Sequence, residues 1–361
     1  MQATVMEVNV DNFLYNIENI KKYTNNKIII PVIKANAYGT HINEKLDIIN
    51  RFDIVSVARV NEAVHLRNIG YKKEILILNQ PYINEIDDII NYKLIIGLSN
   101  YEFLVELSKR KEKVSIHLEI ETGMNRTGVN LNDLDLFIDK IKSSKNIILE
   151  GVYTHLSSAD FDYNYTMKQL NKFKEAVDLI KDNFSKIKYI HSSASNGLLN
   201  YDDGVSNAVR PGIIMYGFES YSGVNQMIDI KPLCILKTRI VFIKEVFKKE
   251  SIGYSRKYKT KKKMVIATIP IGYADGLRRN FAKKGYVVVN NKKAKILGNI
   301  CMDSCMIDVS NIDTKLNDEV YIWDNEIQTL DDVSNVCKTI NYEIVSTISD
   351  RVKRIFKCKE D

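Results

Sequence analysis

At 361 residues and 41.5 kDa the chain exceeds one typical domain, so two are expected. Its 45% hydrophobic and 27% charged residues exclude a disordered chain. No run approaches the ~18 uncharged apolar residues of a membrane helix, and 52 basic against 45 acidic side chains leave a mild +7. The excess gathers partly in KYKTKKK, 257–263. No aromatic platform or DNA-binding motif accompanies that run, so it reads as a solvated loop, and no nucleic-acid partner is expected. Glu7 and Asp11 lie near the start with no basic-then-apolar leader, so neither a secretory signal nor a membrane association is expected. The five cysteines, Cys234, Cys301, Cys305, Cys337 and Cys358, are odd in number and irregular in spacing. No histidine lies near Cys301 and Cys305, so no metal site is expected, and a reduced cytoplasmic protein fits best.

The first ten residues read as a strand, able either to close a barrel floor or to pair with a second domain. After them, apolar runs alternate with amphipathic stretches. The predicted strands are 27–33, 52–57, 74–78, 93–98, 114–121, 147–155, 188–193 and 208–216. Helical patterns fill the gaps at 61–69, 82–91, 101–109 and 167–181. In the last of these Leu170, Phe173, Val177 and Ile180 share one face. Eight such units in about 220 residues have the count and size of a TIM barrel, with an open doubly wound sheet as the alternative. SYSGV, 220–224, has the composition of a linker. From about Lys231 the helical period gives way to strands at 234–246, 264–270, 286–289, 306–309 and 319–323. The expected architecture is therefore α/β: an N-terminal (β/α)8 TIM barrel, 11–222, then a mostly β C-terminal domain, 223–361.

The chemistry-bearing residues fall at the carboxyl ends of the barrel strands, where barrels place function. Lys34 ends the first strand in PVIKANAYG, and Arg126 follows the fifth in ETGMNRTG. His155 ends the sixth in VYTHLSSAD, Ser195 and Asn196 follow the seventh in HSSASNG, and Arg210 and Gly212 lie in the eighth in AVRPGIIMYG. Each alone has a bland reading: a solvated lysine, an interior histidine, a turn. Five segments converging on one barrel end make coincidence a poor account. Parity in the fifth strand puts Ser115, His117, Glu119 and Glu121 on the face opposite Val114, Ile116, Leu118 and Ile120. The apolar set should meet the helices, which leaves a polar barrel interior beneath the site. A strand-end lysine desolvated by Val32 and Ile33 can lose its proton and combine with an aldehyde. Gly and Ser groups after strands seven and eight are where barrels bind phosphate. Together they describe a pyridoxal 5'-phosphate site.

At these motifs the chain resembles the alanine racemase family over nearly its whole length. VIKANAYG is similar to the family's lysine segment, which implies that Lys34 carries the cofactor and Tyr38 contacts its phosphate. The resemblance further implies that Arg126 contacts the phenolic oxygen and that His155 packs on the pyridine ring. Ser195, Gly212 and Ile213 would form the phosphate cradle, and Arg210 would face the pyridine nitrogen. SIGYS resembles the segment of a second catalytic base, here Tyr254. IGYADG resembles an entrance segment with Tyr273, and CMDSCM one whose Met302 and Asp303 complete the substrate pocket. Since Tyr254 and Met302 would serve the partner's site, a homodimer with shared sites is implied. The implied reaction interconverts L- and D-alanine, a small-molecule substrate, for peptidoglycan precursor supply.

Racemisation removes the Cα proton from one face and returns one to the other, so Lys34 and Tyr254 would flank Cα. Three positions depart from the family. Glu119 stands where many relatives have a carbamylated lysine and would hold Arg126 directly through its own carboxylate. Asp350, in TISDRVKR, replaces a tyrosine that reaches the phosphate; it should turn away, toward Arg351 or Arg354, and widen the pocket for serine. Ala194 stands where asparagine is usual. The competing readings are serine or broad-specificity racemisation, decarboxylation of basic amino acids, and a non-catalytic carrier of the cofactor. The β domain with Tyr254 and CMDSCM counts against the last.

Overall fold

The computed structural model describes residues 3–220 and 223–358. Two positions of the expected linker, 221 and 222, lie outside the described residues. Strand β1, Val5–Asn9, leads into helix Val10–Tyr23, whose amide at Asn12 is capped by the Asn9 side chain at 3.1 Å. Asp11 in the first turn and Lys21 and Lys22 in the last complement the helix dipole.

The barrel strands are β2 (Ile28–Ile29), β3 (Ile54–Val57), β4 (Glu74–Ile77), β5 (Ile95–Leu98), β6 (Val114–Glu119), β7 (Ile147–Tyr153), β8 (Tyr189–His191) and β9 (Ala208–Val209). Strands β3 to β8 form one parallel six-stranded sheet, and β2 pairs with β9. Two seams join them into a ring. Val32 bridges to Ser56 beside β3, and the Arg210 amide donates to the Ser193 carbonyl at 2.9 Å beside β8. The interior has two storeys set by alternate residues. Ile30, Ile54, Leu76, Ile95, Tyr189 and Ala208 form an apolar floor. One step along the same strands come Ser56, Gly97, Tyr153, His191 and Arg210, the polar layer under the mouth. Glycine makes room there. A Cβ on Gly97 would lie 2.2 Å from the Tyr153 hydroxyl, and one on Gly151 2.6 Å from the His117 ring.

The apolar run 208–216 is not one strand. Pro211 lacks an amide and Gly212 turns the chain (φ −118°, ψ −103°), so Ile213–Tyr216 forms a 3₁₀ turn. All four of its residues are buried, and an apolar run alone does not separate a strand from a buried turn.

The second domain holds β10 (Cys234–Arg239), β11 (Phe242–Val246), β12 (Ser251–Ile252), β13 (Tyr258–Lys259), β14 (Met264–Ile269), β15 (Tyr286–Val289), β16 (Lys292–Leu297), β17 (Cys305–Asp308), β18 (Glu319–Trp323) and β19 (Lys353–Lys357). The run 234–246 breaks in two at residues 240 and 241, and β16 and β19 carry too many charges to read as strands beforehand. Helices Leu330–Cys337 and Asn341–Ser346 interrupt the β pattern, the first opened by a Thr329–Asp332 capping box. Strand β1 sits in this domain, between β10 (antiparallel) and β19 (parallel), in a nine-stranded sheet. Lys237 joins Glu7 and Glu319 across three neighbouring strands at 2.8 and 3.0 Å. No helix among the described residues is long and apolar enough to cross a membrane.

The second domain also closes on the barrel mouth. Arg354 Nε donates to the Gly39 carbonyl at 2.9 Å, and the rings of Tyr342 and Tyr38 meet at 6.0 Å. At the other side of the mouth the chain leaves the barrel through Gly217, which adopts φ 72°; a Cβ there would lie 1.7 Å from the Lys231 carbonyl oxygen. Gly217→Ala is therefore expected to cost at least ~2 kcal/mol, through left-handed strain and displaced backbone. Urea denaturation followed by fluorescence measures it, and an unchanged midpoint would show that the segment yields freely.

Candidate active site

A cavity of about 500 Å³ opens at the carboxyl ends of the barrel strands. Lys34, Tyr38, Arg126, His155, Ser195, Arg210 and Gly212 all line it. Five short segments, distant in sequence, thus deliver their functional side chains to one space, because each sits just beyond the end of a parallel strand.

Lys34 stands at the end of a bridge residue pair and begins an unusual turn. Ala35, Asn36, Ala37 and Tyr38 have φ of 53°, 52°, 52° and 56°, all left-handed. That conformation costs roughly 1–2 kcal/mol for each residue bearing a Cβ, so surrounding contacts must hold it. Burial, then the positive charge of Arg126, lowers the pKa of Lys34 below that of an ordinary lysine, with Glu62 opposing and Arg210 adding to the effect. The amine is therefore neutral more often than a solvated one.

Opposite lies a cradle of hydroxyls. The Ser195 hydroxyl accepts the Gly212 amide at 3.0 Å and keeps its own proton free to donate. The Tyr38 hydroxyl lies where a Cβ on Gly212 would be, at 2.5 Å, so only glycine admits it. Burial holds the Tyr38 phenol above its ordinary pKa, as a neutral donor. Ile213 turns its side chain into the core and leaves only its backbone to the cradle.

Arg210 is 2% exposed and still fully furnished with acceptors. Its guanidinium donates to the carbonyls of His191 (2.7 Å), Thr154 (2.6 Å) and Ser192 (3.1 Å), and to the Nδ1 atoms of His191 and His155. Burial pushes its pKa down to about 10, which leaves it protonated at neutral pH. An arginine only donates, so His191 Nδ1 must accept. The His191 proton then sits on Nε2 and is given to His117 Nδ1 at 2.8 Å. By the same logic His117 carries its proton on Nε2, which is buried without a partner. Both rings are neutral in this assignment from the hydrogen-bond network. Burial, with Arg210 next, takes His117 and His155 to about 3 and His191 well below its ordinary value.

Several expected partners are not brought together. Glu119 is buried on the polar face of β6, yet no ion pair with Arg126 within 4.0 Å exists among the described residues. One of its carboxylate oxygens has no partner, and burial raises its pKa against Thr127, Arg126 and Arg210. The link expected to hold Arg126 is thus a field across the site and not a contact. Asp350 does turn from the cavity, but to His41 Nε2 at 3.1 Å and not to an arginine. Arg354 spends its donors on four backbone carbonyls, and Arg351 pairs with Asp303 at 2.7 Å. Tyr254, Tyr273 and Met302 do not line the cavity of their own chain. They are 69%, 42% and 52% exposed on the second domain. The Asn299 side chain, which donates to the Tyr254 carbonyl at 3.2 Å, connects the hairpin β12–β13 to the 301–303 loop.

Sequence reasoning missed Tyr342 and Glu62 as residues of this region. Tyr342 lines the cavity, as does Asn196, and Glu62 accepts the amide next to Lys34 at 2.7 Å. Tyr342 lies in a helix, Asn341–Ser346, that periodicity did not disclose, and Glu62 reads as an ordinary first-turn acid. An aldehyde-reactive lysine, a neutral hydroxyl cradle admitted by glycine and a fixed buried cation match pyridoxal 5'-phosphate: the donor set fits a phosphorylated pyridine carbonyl.

Comparison with known proteins agrees over both domains. The family model of the alanine racemase N-terminal domain matches residues 8–220, and that of the C-terminal domain residues 233–356. An alanine racemase of Clostridium tetani is 38% identical over 366 residues, covering 97% of this chain and 94% of the relative. Alanine racemase 1 of Clostridium acetobutylicum is 34% identical, with the same coverage of each. Among solved structures, alanine racemase from Clostridium difficile 630 superposes with a TM-score of 0.93 at 32% identity, covering 100% of this chain and 97% of that one. Alanine racemase from Bacillus anthracis with bound L-Ala-P gives 0.93 at 30% identity, covering 100% and 96%.

The buried histidines set a pH dependence. His117 and His155 titrate at about 3 in the folded chain and near 6.5 when unfolded. Between these values the unfolded chain binds more protons, so stability is complete above the upper value and falls as the pH drops through the window. Each histidine contributes up to ~1.4 kcal/mol per pH unit. Urea denaturation at about pH 7.5 and about pH 5.5 should show the loss. The pH slope should shrink in His117→Gln; an identical slope in that variant would mean His117 is charged when folded.

Proposed function

The chain belongs to the alanine racemase family of pyridoxal-phosphate-dependent isomerases, and we propose that it interconverts L- and D-alanine with two bases, Lys34 and Tyr254 of the partner subunit. The observation that carries this is the cavity that sets a desolvated Lys34 against the Tyr38–Ser195–Gly212 cradle and the buried Arg210. Bound there, the cofactor supplies a carbonyl that takes the amino acid's amine and a ring that acidifies its Cα–H.

The chain's own groups do the rest. Tyr38 and Ser195 would hold the phosphate, and His155, kept neutral by burial and by Arg210, would pack against the ring. Arg210 retains its proton at neutral pH because its pKa stays at about 10, and it accepts none from outside. A ring nitrogen facing it would stay unprotonated, which limits delocalisation of charge from Cα and disfavours transfer of the amine. Lys34 Nζ, neutral more often than an ordinary lysine, takes or gives the proton on one face of Cα. Arg126, exposed at the cavity wall, would bind the cofactor's phenolic oxygen and the substrate carboxylate.

The second face needs a second base, which we assign to Tyr254 of the partner subunit. Tyr254, Tyr273 and Met302 project from the second domain, and their exposure supports burial against another copy of the chain. Asp303, tied to Arg351, would with Met302 complete the partner's substrate pocket. All five cysteines are free, which supports a reducing, cytoplasmic setting, and D-alanine for peptidoglycan precursors is the use we assign to the product.

Incubation with L-alanine, and in parallel with L-serine, followed by chiral analysis tests the reaction; D-alanine should form faster. Lys34→Ala should lose essentially all activity and all cofactor fixed by borohydride, and a labelled peptide bearing another lysine would move the site. Mixing inactive Lys34→Ala with inactive Tyr254→Phe under subunit exchange should restore part of the activity. If exchange is verified and nothing returns, both bases come from one chain.

A further inference from the structure

The left-handed turn after Lys34 is held from two sides. Within it, the Ala37 amide reaches the Ile33 carbonyl at 3.0 Å and the Gly39 amide the Ala35 carbonyl at 2.8 Å. These bonds close the turn but do not offset the crowding of each Cβ. The first residue of the turn is caught from outside. Glu62, in helix Val60–Asn68, accepts the Ala35 amide on Oε1 at 2.7 Å. Its other oxygen accepts the amides of Ala58 and Arg59 at 2.7 and 3.1 Å, which anchors the carboxylate to the end of the neighbouring strand. A carboxylate is the one side-chain group of this size that accepts on both oxygens.

We propose that Glu62 is the positioning residue of Lys34: its carboxylate locks the left-handed turn at Ala35 and sets one negative charge beside the amine. The groups acting on the Lys34 charge are Arg126 from the loop after β6, Arg210 after β9, and Glu62. His155, after β7, is neutral, and Tyr38 on the same turn is a neutral phenol. Glu62 is the acid among them, so it moderates two cations that would otherwise depress the amine further. The inference rests on Lys34 being the cofactor lysine, and it extends that reading to what makes this lysine usable.

Three variants of the full-length, cofactor-loaded protein test it: Glu62→Gln, Glu62→Ala, and Glu62→Ala combined with Ala35→Gly. The readouts are the fraction of cofactor fixed to Lys34 by borohydride, the pH profile of kcat, and the urea midpoint. Glu62→Ala should lose roughly tenfold in affinity for the cofactor, the size of one charge-assisted backbone hydrogen bond. Glycine at position 35 carries no left-handed penalty, so the double variant should regain part of that loss while Ala35→Gly alone changes little. Glu62→Gln, which keeps the shape, should move the acid limb of kcat to lower pH, because Lys34, a free amine only once substrate has displaced it from the cofactor, has lost its negative neighbour. If Glu62→Ala does not fold, Glu62→Gln carries the test alone. An acid limb and cofactor occupancy in Glu62→Gln that superimpose on those of the unaltered protein overturn the proposal, as does a loss confined to the urea midpoint. Absence of cofactor on Lys34 in the unaltered protein would instead strike the functional reading itself.

Discussion

A permanent positive charge buried at the top of a barrel governs the rest of the site. Arg210 cannot shed its proton near neutral pH, so every neighbour must either accept a hydrogen bond from it or stay uncharged. Three backbone carbonyls from two strand ends do the first. His191, His117 and His155 do the second, each depressed far below ordinary imidazole. The tautomers follow as a chain from the guanidinium downward, with the last proton left on His117 Nε2. Gly97 and Gly151 belong to the same constraint, because the rings that insulate the cation need the space a Cβ would take. The apolar floor lies beneath the network.

The same barrel mouth is braced by the second domain. Arg354 and the His41–Asp350 pair both grip the 39–41 segment, and Gly39 lies flush against the Val345 carbonyl, 2.5 Å from where its Cβ would be. A turn that the backbone disfavours is thus enclosed by a carboxylate from a barrel helix and by groups from the far end of the chain. The β domain therefore acts on its own barrel through the cofactor turn, while the side chains expected at the substrate face outward.

What was legible in the sequence tracks how local the signal is. Lys34, His155, Ser195 and Arg210 follow apolar runs, and strand order alone sends their side chains to one mouth. The parity of β6 disclosed that His117 and Glu119 point inward, although not that His117 would end a proton chain. Non-local facts were hidden. Nothing near Asp350 names His41, which lies 309 positions away, and the Glu119 oxygen stays unpartnered despite a nearby guanidinium in the sequence. Extent failed where composition overrode pattern: Pro211 cut short β9, and the charged stretches 292–297 and 353–357 are strands because β15 and β17 pair with the first and β1 with the second. Tyr254, Tyr273 and Met302 were read as site residues, and within one chain they stand apart from it; a single sequence carries no coordinate for its copy.

The placement of β1 reaches into how the molecule is made. Strand β1 lies between β10, more than two hundred residues later, and β19, more than three hundred later. Met6 and Val8 on it are wholly buried in the finished sheet, so the nascent chain must carry this strand unpaired until β10 emerges, and with one open edge until β19 follows. The barrel, whose strands pair mainly with sequence neighbours, can assemble on the ribosome in order. The nine-stranded sheet cannot close until β19 arrives to cover the open edge of β1. Exposure to chaperones, and to mispairing between chains on one message, is therefore concentrated in the five residues that begin the fold.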